Sequence, residues 1–219
     1  MTDHEVRARI AQIGIIPAIR VSSAEDALFA ATTVFDGGIK VVEITTTVPC
    51  AVDVIAQLKR TTPEFLVGAG TVLDLETARA CLDAGADFLT SPGLDPDLVQ
   101  LGTDSKVLVI PGALTPSEVA FARKAGTLLI KIFPCSLVGG PAYIKALKAP
   151  FPNVAFIASG GVKQQNTADF IRAGACALGI GEDLVPHEAV TKRNVTWIHE
   201  LTGRFIGMVT EARKRSSAH

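Results

Sequence analysis

The feature that most constrains this chain is a recurrence. Short apolar runs, many rich in β-branched residues, return along the whole length, and most are followed by a segment with helical apolar spacing that stops at a glycine. The runs are Ile15–Arg20, Ile39–Thr45, Phe65–Gly68, Asp87–Thr90, Val107–Ile110, Thr127–Phe133, Val154–Ile157 and Cys176–Gly179. Gly37-Gly38, Ala84-Gly85-Ala86, Ala125-Gly126 and Ala173-Gly174-Ala175 stop helices and feed the next strand. Helix starts are equally marked. Ser22 or Ser23 offers an N-cap for Ala24–Phe35, Pro49 opens a helix running to about Arg60, and Thr115-Pro116 with Glu118 forms a capping box.

Eight strands alternating with eight helices imply an α/β fold, a (β/α)8 barrel with an N-terminal helix at Glu5–Ile13 and a C-terminal helix at about 194–213. The expected organisation is a single domain over 1–219, with the barrel at about 15–190 and a frayed end at Lys214–His219. A doubly wound open sheet would want fewer units and a glycine-rich dinucleotide turn after the first strand, and neither is seen. The chain has 219 residues, 48% of them hydrophobic, enough for a substantial core.

Charge narrows the function. With 21 basic and 22 acidic residues the net charge is −1, which supplies no field for nucleic acid or anionic membrane, and 5% aromatic content gives little base-stacking surface. A small-molecule partner is therefore expected. Met1–Gln12 is charged and shows no apolar signal core, and no run is long enough to span a bilayer, so the expectation is a soluble cytoplasmic protein. Cys50, Cys81, Cys135 and Cys176 form no Cys-x-x-Cys pair and read as reduced, mostly packed thiols.

In such a barrel the C-terminal strand ends share one mouth, where active sites are built. Those ends carry Arg20, Glu43, Thr71 after Gly68-Ala69-Gly70, Ser91-Pro92-Gly93, Pro111-Gly112, Lys131, Ser159-Gly160-Gly161 and Gly179-Ile180-Gly181. Lys131 stands alone in Leu128–Pro134. An uncompensated buried ammonium costs several kcal/mol, so such a lysine reaches water, finds a partner or loses its proton. A neutral amine in an apolar pocket adds to a ketone and forms a Schiff base, which makes Lys131 the candidate nucleophile; the other reading is a lysine that snorkels to solvent. Glu43, in Val41-Val42-Glu43-Ile44, is the candidate general acid/base, or else a structural ion-pair partner of Lys131 or Arg20.

Gly160-Gly161 and Gly179-Ile180-Gly181 precede the last two barrel helices, where backbone amides often hold phosphate; tight turn geometry alone is the competing reading. Glu182-Asp183 follows directly. These carboxylates either face the ligand and repel a phosphate, or point outward and favour the helix start. His4, His187, His199 and His219 lie off the predicted strand ends with no metal-ligand spacing, so no metal site is expected.

Together, Val42-Glu43-Ile44-Thr45, Val67-Gly68-Ala69-Gly70-Thr71-Val72, Ser91-Pro92-Gly93, Ile110-Pro111-Gly112, Ile130–Pro134 and Ser159-Gly160-Gly161-Val162 resemble the 2-keto-3-deoxy-6-phosphogluconate (KDPG) and 4-hydroxy-2-oxoglutarate (KHG) aldolases, in the right order over nearly the whole chain. The resemblance implies a class I aldolase, usually a homotrimer, that reversibly splits a 2-keto-4-hydroxy acid into pyruvate and an aldehyde without an added cofactor. It implies that Lys131 forms the imine, Glu43 shuttles protons, Thr71 with Gly70 holds the pyruvate carboxylate and Arg20 binds an anion. Pro92, Phe133, Ser159, Gly160, Gly161, Gly181 and Glu182 complete the implied substrate site.

This sequence departs from the family pattern at three places: Thr47 where many members have arginine, Ser159 for a usual threonine, and Glu182 for a usual serine. The last points to an unphosphorylated substrate end. Competing functions are a phosphate-binding barrel isomerase or epimerase with Glu43 as base, and a non-catalytic sugar-acid binding barrel.

Overall fold

In the computed structural model, which describes residues 1–216, the recurrence closes into a barrel of parallel strands. Helix α1 (Asp3–Ile13) leads into β1 (Ile15–Ile19), α2 (Ala24–Asp36), β2 (Val41–Thr45), α3 (Ala51–Thr61), β3 (Leu66–Gly70), α4 (Leu75–Asp83), β4 (Phe88–Thr90) and α5 (Pro96–Ser105). The second half runs β5 (Leu108–Ile110), β6 (Gly112–Ala113), α6 (Pro116–Lys124), β7 (Ile130–Ile132), α7 (Pro141–Lys148), β8 (Phe156–Ser159), α8 (Gln164–Arg172), β9 (Ala175–Ile180), α9 (His187–Thr191) and α10 (Val195–Ser216). Neighbouring strands lie in the order β5-β4-β3-β2-β1-β9-β8-β7-β6, and their pairings are parallel.

The nine strand segments make eight staves. β5 and β6 are one stave interrupted at Pro111, which has no N–H to give a ladder. Its carbonyl still accepts from Lys131 N at 2.9 Å, and Phe133 N donates to Ala113 O at 3.2 Å, so β6 pairs with β7 while β5 pairs with β4. The chain passing through Pro111 closes the ring. Gly112 is needed there because a Cβ would lie 2.1 Å from Pro92 O.

Local rules explain most element boundaries. Thr2 and Thr115 each form a capping box, with Glu5 and Glu118 respectively, and Ser23 caps α2. Two expected strands are displaced. The sixth starts at Ile130 rather than Thr127, because the Thr127 amide and hydroxyl both donate to Ala122 O and close the end of α6. The seventh is Phe156–Ser159 rather than Val154–Ile157, because Val154 N turns back to Phe151 O and Val154 O accepts from Lys148 Nζ. Helix α7 starts with Pro141 after Gly139-Gly140, a short segment for which the sequence offered no separate reading. The expected fray at Lys214–His219 is helical through Ser216; residues 217–219 lie outside the described residues.

Buried residues from Val6 to Ala212 form one contiguous apolar cluster. The inner strand residues meet in the barrel, and the outer faces of the strands receive helices at native-like periodicity. α10 lays Ile198, Leu201, Phe205 and Val209 against the body, packing on α8 and α2. Arg213 fastens its end by donating to Ala11 O, Gln12 O and Cys176 O. Beneath the barrel, Lys59 holds Asp87 at 2.7 Å, and the same carboxylate accepts from Val67 N at 2.8 Å.

The four cysteines are free thiols. Burial pushes Cys81, Cys135 and Cys176 up to about 11, which keeps them protonated and inert at neutral pH, while Cys50 is exposed. Cys135 is buried beneath the lysine strand and does not reach the cleft described below. Among the described residues, no helix is long and apolar enough to cross a membrane.

Candidate active site

Because the strands are parallel, their C-terminal ends share one mouth, and a cleft of about 740 Å³ opens there. Arg20, Glu43, Thr71, Pro92, Lys131, Phe133, Ser159, Gly160, Gly161, Gly181 and Glu182 all line it. The sequence expectation for the site is thus brought together, with one exception.

That exception is Gly70, whose place is behind the cleft wall. A Cβ on Gly70 would sit 2.2 Å from Glu43 Oε1 and 2.4 Å from Glu43 Cδ and Cγ. The missing side chain is the space in which the Glu43 side chain lies. Strand register explains the contact. Glu43 pairs with Gly68 and Thr45 with Gly70, so the Glu43 side chain leans along its strand and across β3.

Lys131 does not snorkel. Its side chain is 11% exposed and its amine lies 3.6 Å from Glu43 Oε2, whose side chain is 6% exposed. The ammonium and carboxylate compensate one another inside the barrel, which is how two charges persist in otherwise apolar strands. The amine also lies 5.6 Å from the centre of the Phe133 ring. A hydroxyl that sequence reasoning passed over joins them. Thr90, at the end of β4 and 2% exposed, donates to Glu43 Oε2 at 2.8 Å and accepts from Lys131 Nζ at 3.5 Å. A threonine in a strand is ordinary, and nothing in its spacing marks it.

Arg20 and Thr71 meet beside this pair, with Arg20 Nη2 donating to Thr71 Oγ1 at 3.4 Å. Thr71 has a positive φ of 60°, and its carbonyl accepts from Thr46 Oγ1 at 2.8 Å. This hydrogen bond helps hold Thr71 in a conformation uncommon for a β-branched residue. Thr47, the departure from the arginine pattern, turns instead to Thr45 Oγ1 at 2.8 Å and does not line the cleft. Arg20 is the one arginine among the described lining residues.

On the far side, Gly160 and Gly161 have φ of 84° and 81°, and Ser136 fixes their turn by donating N–H to Gly160 O and Oγ–H to Gly161 O. The Gly181 turn differs from expectation. No helix starts at Glu182-Asp183: Leu184 N and Val185 N fold back onto Gly181 O, and α9 begins only at His187. Both residues line the cleft, and no helix starts at them. His187, expected away from the strand ends, lines it too, because the turn carries the chain back over the mouth. His219 lies outside the described residues.

The arrangement places an amine and a carboxylate in the cleft, with the buried Thr90 hydroxyl behind them and Arg20, the glycine turns and two acidic residues among the other lining residues. It can form a covalent adduct and move protons beside it.

Comparison with known proteins gives the family and the fold. The family model for KDPG and KHG aldolase matches residues 6–201. The 2-dehydro-3-deoxy-phosphogluconate aldolase of Pseudomonas aeruginosa is 32% identical over 200 residues, covering 91% of each chain. The KHG/KDPG aldolase of Escherichia coli is 35% identical over 176 residues, 80% of this chain and 83% of that one. A crystal structure of KDPG aldolase from Legionella pneumophila, with pyruvate captured at low pH as a covalent carbinolamine intermediate, superposes with a TM-score of 0.84 at 34% identity, covering 90% of this chain and 96% of that one. This chain belongs to the KDPG and KHG aldolase family: it is an aldolase, a carbon–carbon lyase.

Proposed function

We propose that this aldolase cleaves a 2-keto-4-hydroxy acid of the 2-keto-3-deoxy sugar-acid or 4-hydroxy-2-oxo acid class, through an imine on Lys131, into pyruvate and an aldehyde whose far end is not phosphorylated. The observation that carries the first half is the Lys131–Glu43 pair at 3.6 Å on the cleft floor. Lys131 Nζ adds to the C2 ketone to give a carbinolamine, and loss of water leaves the imine. Glu43 then takes the proton of the C4 hydroxyl as the C3–C4 bond breaks, and the electron pair flows into the imine to give the enamine. The enamine takes a proton at C3, and water releases pyruvate and the amine. The imine is the electron sink, so the scheme needs no further cofactor.

Arg20 and Thr71 are assigned to the pyruvate carboxylate, with the guanidinium supplying charge and the hydroxyl direction. Pro92 and Phe133 shape the apolar floor, while Ser159, Gly160, Gly161 and Gly181 line the path of the aldehyde portion.

The second half rests on Glu182 and Asp183. At about 5 Å and an effective dielectric near 20, each would repel a phosphate charge by about 3 kcal/mol, reduced by water at the exposed Glu182. Carboxylates accept hydrogen bonds from hydroxyls, so a polyol end suits the same wall. We expect kcat/KM for unphosphorylated 2-keto-3-deoxy sugar acids to exceed that for their 6-phosphates by at least about tenfold. A combined Glu182→Ser and Asp183→Ser exchange should narrow or reverse the gap. A wild-type preference for the phosphate ester would overturn this half.

Association as a homotrimer in the cytoplasm belongs to the same reading. Supporting it are the exposed Phe121, Leu137 and Val138, apolar surface that a partner copy would cover, and the free thiols.

A further inference from the structure

Building on the Lys131 imine just proposed, we infer that Thr90 is a positioning residue for proton transfer: its hydroxyl anchors one oxygen of Glu43 while the other carries the proton. Three strands make this arrangement. Glu43 is on β2, Gly70 on β3 and Thr90 on β4. The β3–β4 register pairs Gly68 with Phe88 and Ala69 with Leu89, which brings Gly70 level with Thr90. The Glu43 side chain crosses the glycine and ends on the hydroxyl at 2.8 Å, so the empty place on β3 and the hydroxyl on β4 work together.

The two carboxylate oxygens are therefore unlike. Oε2 receives the Thr90 hydrogen and lies 3.6 Å from Lys131 Nζ. Oε1 lies over Gly70, has no hydrogen-bond partner among the described residues, and is not sealed from the cleft. Oε1 is the oxygen that takes and returns the proton at C3 or at the C4 hydroxyl.

The need for the anchor arises when the chemistry starts. Free Lys131 brings three N–H bonds to the pair, but an imine nitrogen keeps at most one, and it is tied to substrate. From that moment Thr90 is the one remaining protein donor to the Glu43 carboxylate among the described residues. A hydrogen bond to a charged acceptor in a buried site is strong and directional, and a carboxylate displaced by about 1 Å can cost about 10²-fold in rate. The step itself balances simply: Glu43 removes a proton from C3 of the pyruvate imine, the C–H electron pair becomes the enamine double bond, and the imine nitrogen accepts the displaced pair.

Thr90→Val tests this, because valine keeps the β-branched shape and removes only the hydroxyl. Exchange of the pyruvate methyl hydrogens with deuterated water, followed by NMR, reads proton transfer at C3. Borohydride trapping of pyruvate reads imine formation. Thr90→Val should trap pyruvate as the wild type does, exchange the methyl hydrogens about 10- to 100-fold more slowly, and lower kcat for cleavage in parallel with KM within about threefold. Thr90→Ser, which restores the hydroxyl, should return exchange to within about threefold of the wild type. Unchanged exchange in Thr90→Val, loss of trapping in proportion to exchange, or failure of serine to rescue would each overturn the inference. A wild-type enzyme that traps no pyruvate would instead refute the imine reading on which it rests.

Discussion

Replacing Lys131 with methionine should abolish aldol cleavage, with kcat/KM falling by about 10⁴-fold or more. The expectation follows from what the amine would have to do. No other described side chain in the cleft is a primary amine, so loss of Nζ removes the proposed covalent route. The same change strips the buried Glu43 of its charge partner, and breaking such a pair typically costs about 3–5 kcal/mol. Melting curves of the variant are therefore part of the experiment. A double variant, Lys131→Met with Glu43→Gln, removes the uncompensated charge, and it should recover much of the stability while staying inactive. Substantial turnover by either folded protein would show that the reaction does not pass through this lysine.

Gly70→Ala should separate activity from stability. The added methyl group would fall 2.2 Å from Glu43 Oε1, a distance no packing tolerates, and the nearest atoms are those of a side chain rather than of backbone. Glu43 therefore yields and β3 stays in place. The φ of Gly70 is not in the left-handed region, so alanine adds no backbone strain of its own. A shift of about 1 Å in the carboxylate predicts a kcat loss of about 10²-fold or more, with the melting temperature lowered by only a few degrees. Steady-state kinetics beside calorimetry check it. An active Gly70→Ala enzyme would mean that the position of Glu43 over the glycine has no catalytic meaning.

The barrel was legible because its causes are local. Short continuous apolar runs, a threonine cap with a glutamate three residues on, and glycine stops are written in consecutive residues, and Thr115-Pro116 with Glu118 appears in the structure as it reads in the chain. Lys131 and Glu43 were visible for a related reason: a charge inside an apolar strand is conspicuous. What escaped depends on neighbours across the sheet. The start of β8 slid by two residues because Val154 gives its backbone to Phe151 and Lys148. Gly70 reads as a turn glycine, but its use is to make room for a side chain from the next strand. Thr90 carries no local mark, since its partners are 47 and 41 residues away in sequence. His187 entered the cleft because the turn closed by Gly181 O delays α9.

The position of Glu182 and Asp183 shows how one boundary alters a functional reading. A helix beginning at Glu182 would have offered backbone amides to a phosphate and used the carboxylates to complement its dipole. Here Leu184 and Val185 give their N–H groups to Gly181 O, and Glu182 and Asp183 are cleft-lining residues without a helix behind them. Because β9 pairs with β1, these acidic residues enter the cleft lining from the strand end next to the one that carries Arg20.

In the proposed reaction Lys131 is the amine that becomes covalently bonded to substrate. Incubation with pyruvate and sodium borohydride, followed by digestion and mass spectrometry of the peptides, tests it most directly. One reduced pyruvate should be found per chain, on Lys131, with parallel loss of cleavage activity, and Lys131→Met should take up none. Absence of an adduct, or its appearance on another lysine with Lys131 unmodified, would show that Lys131 is not that amine.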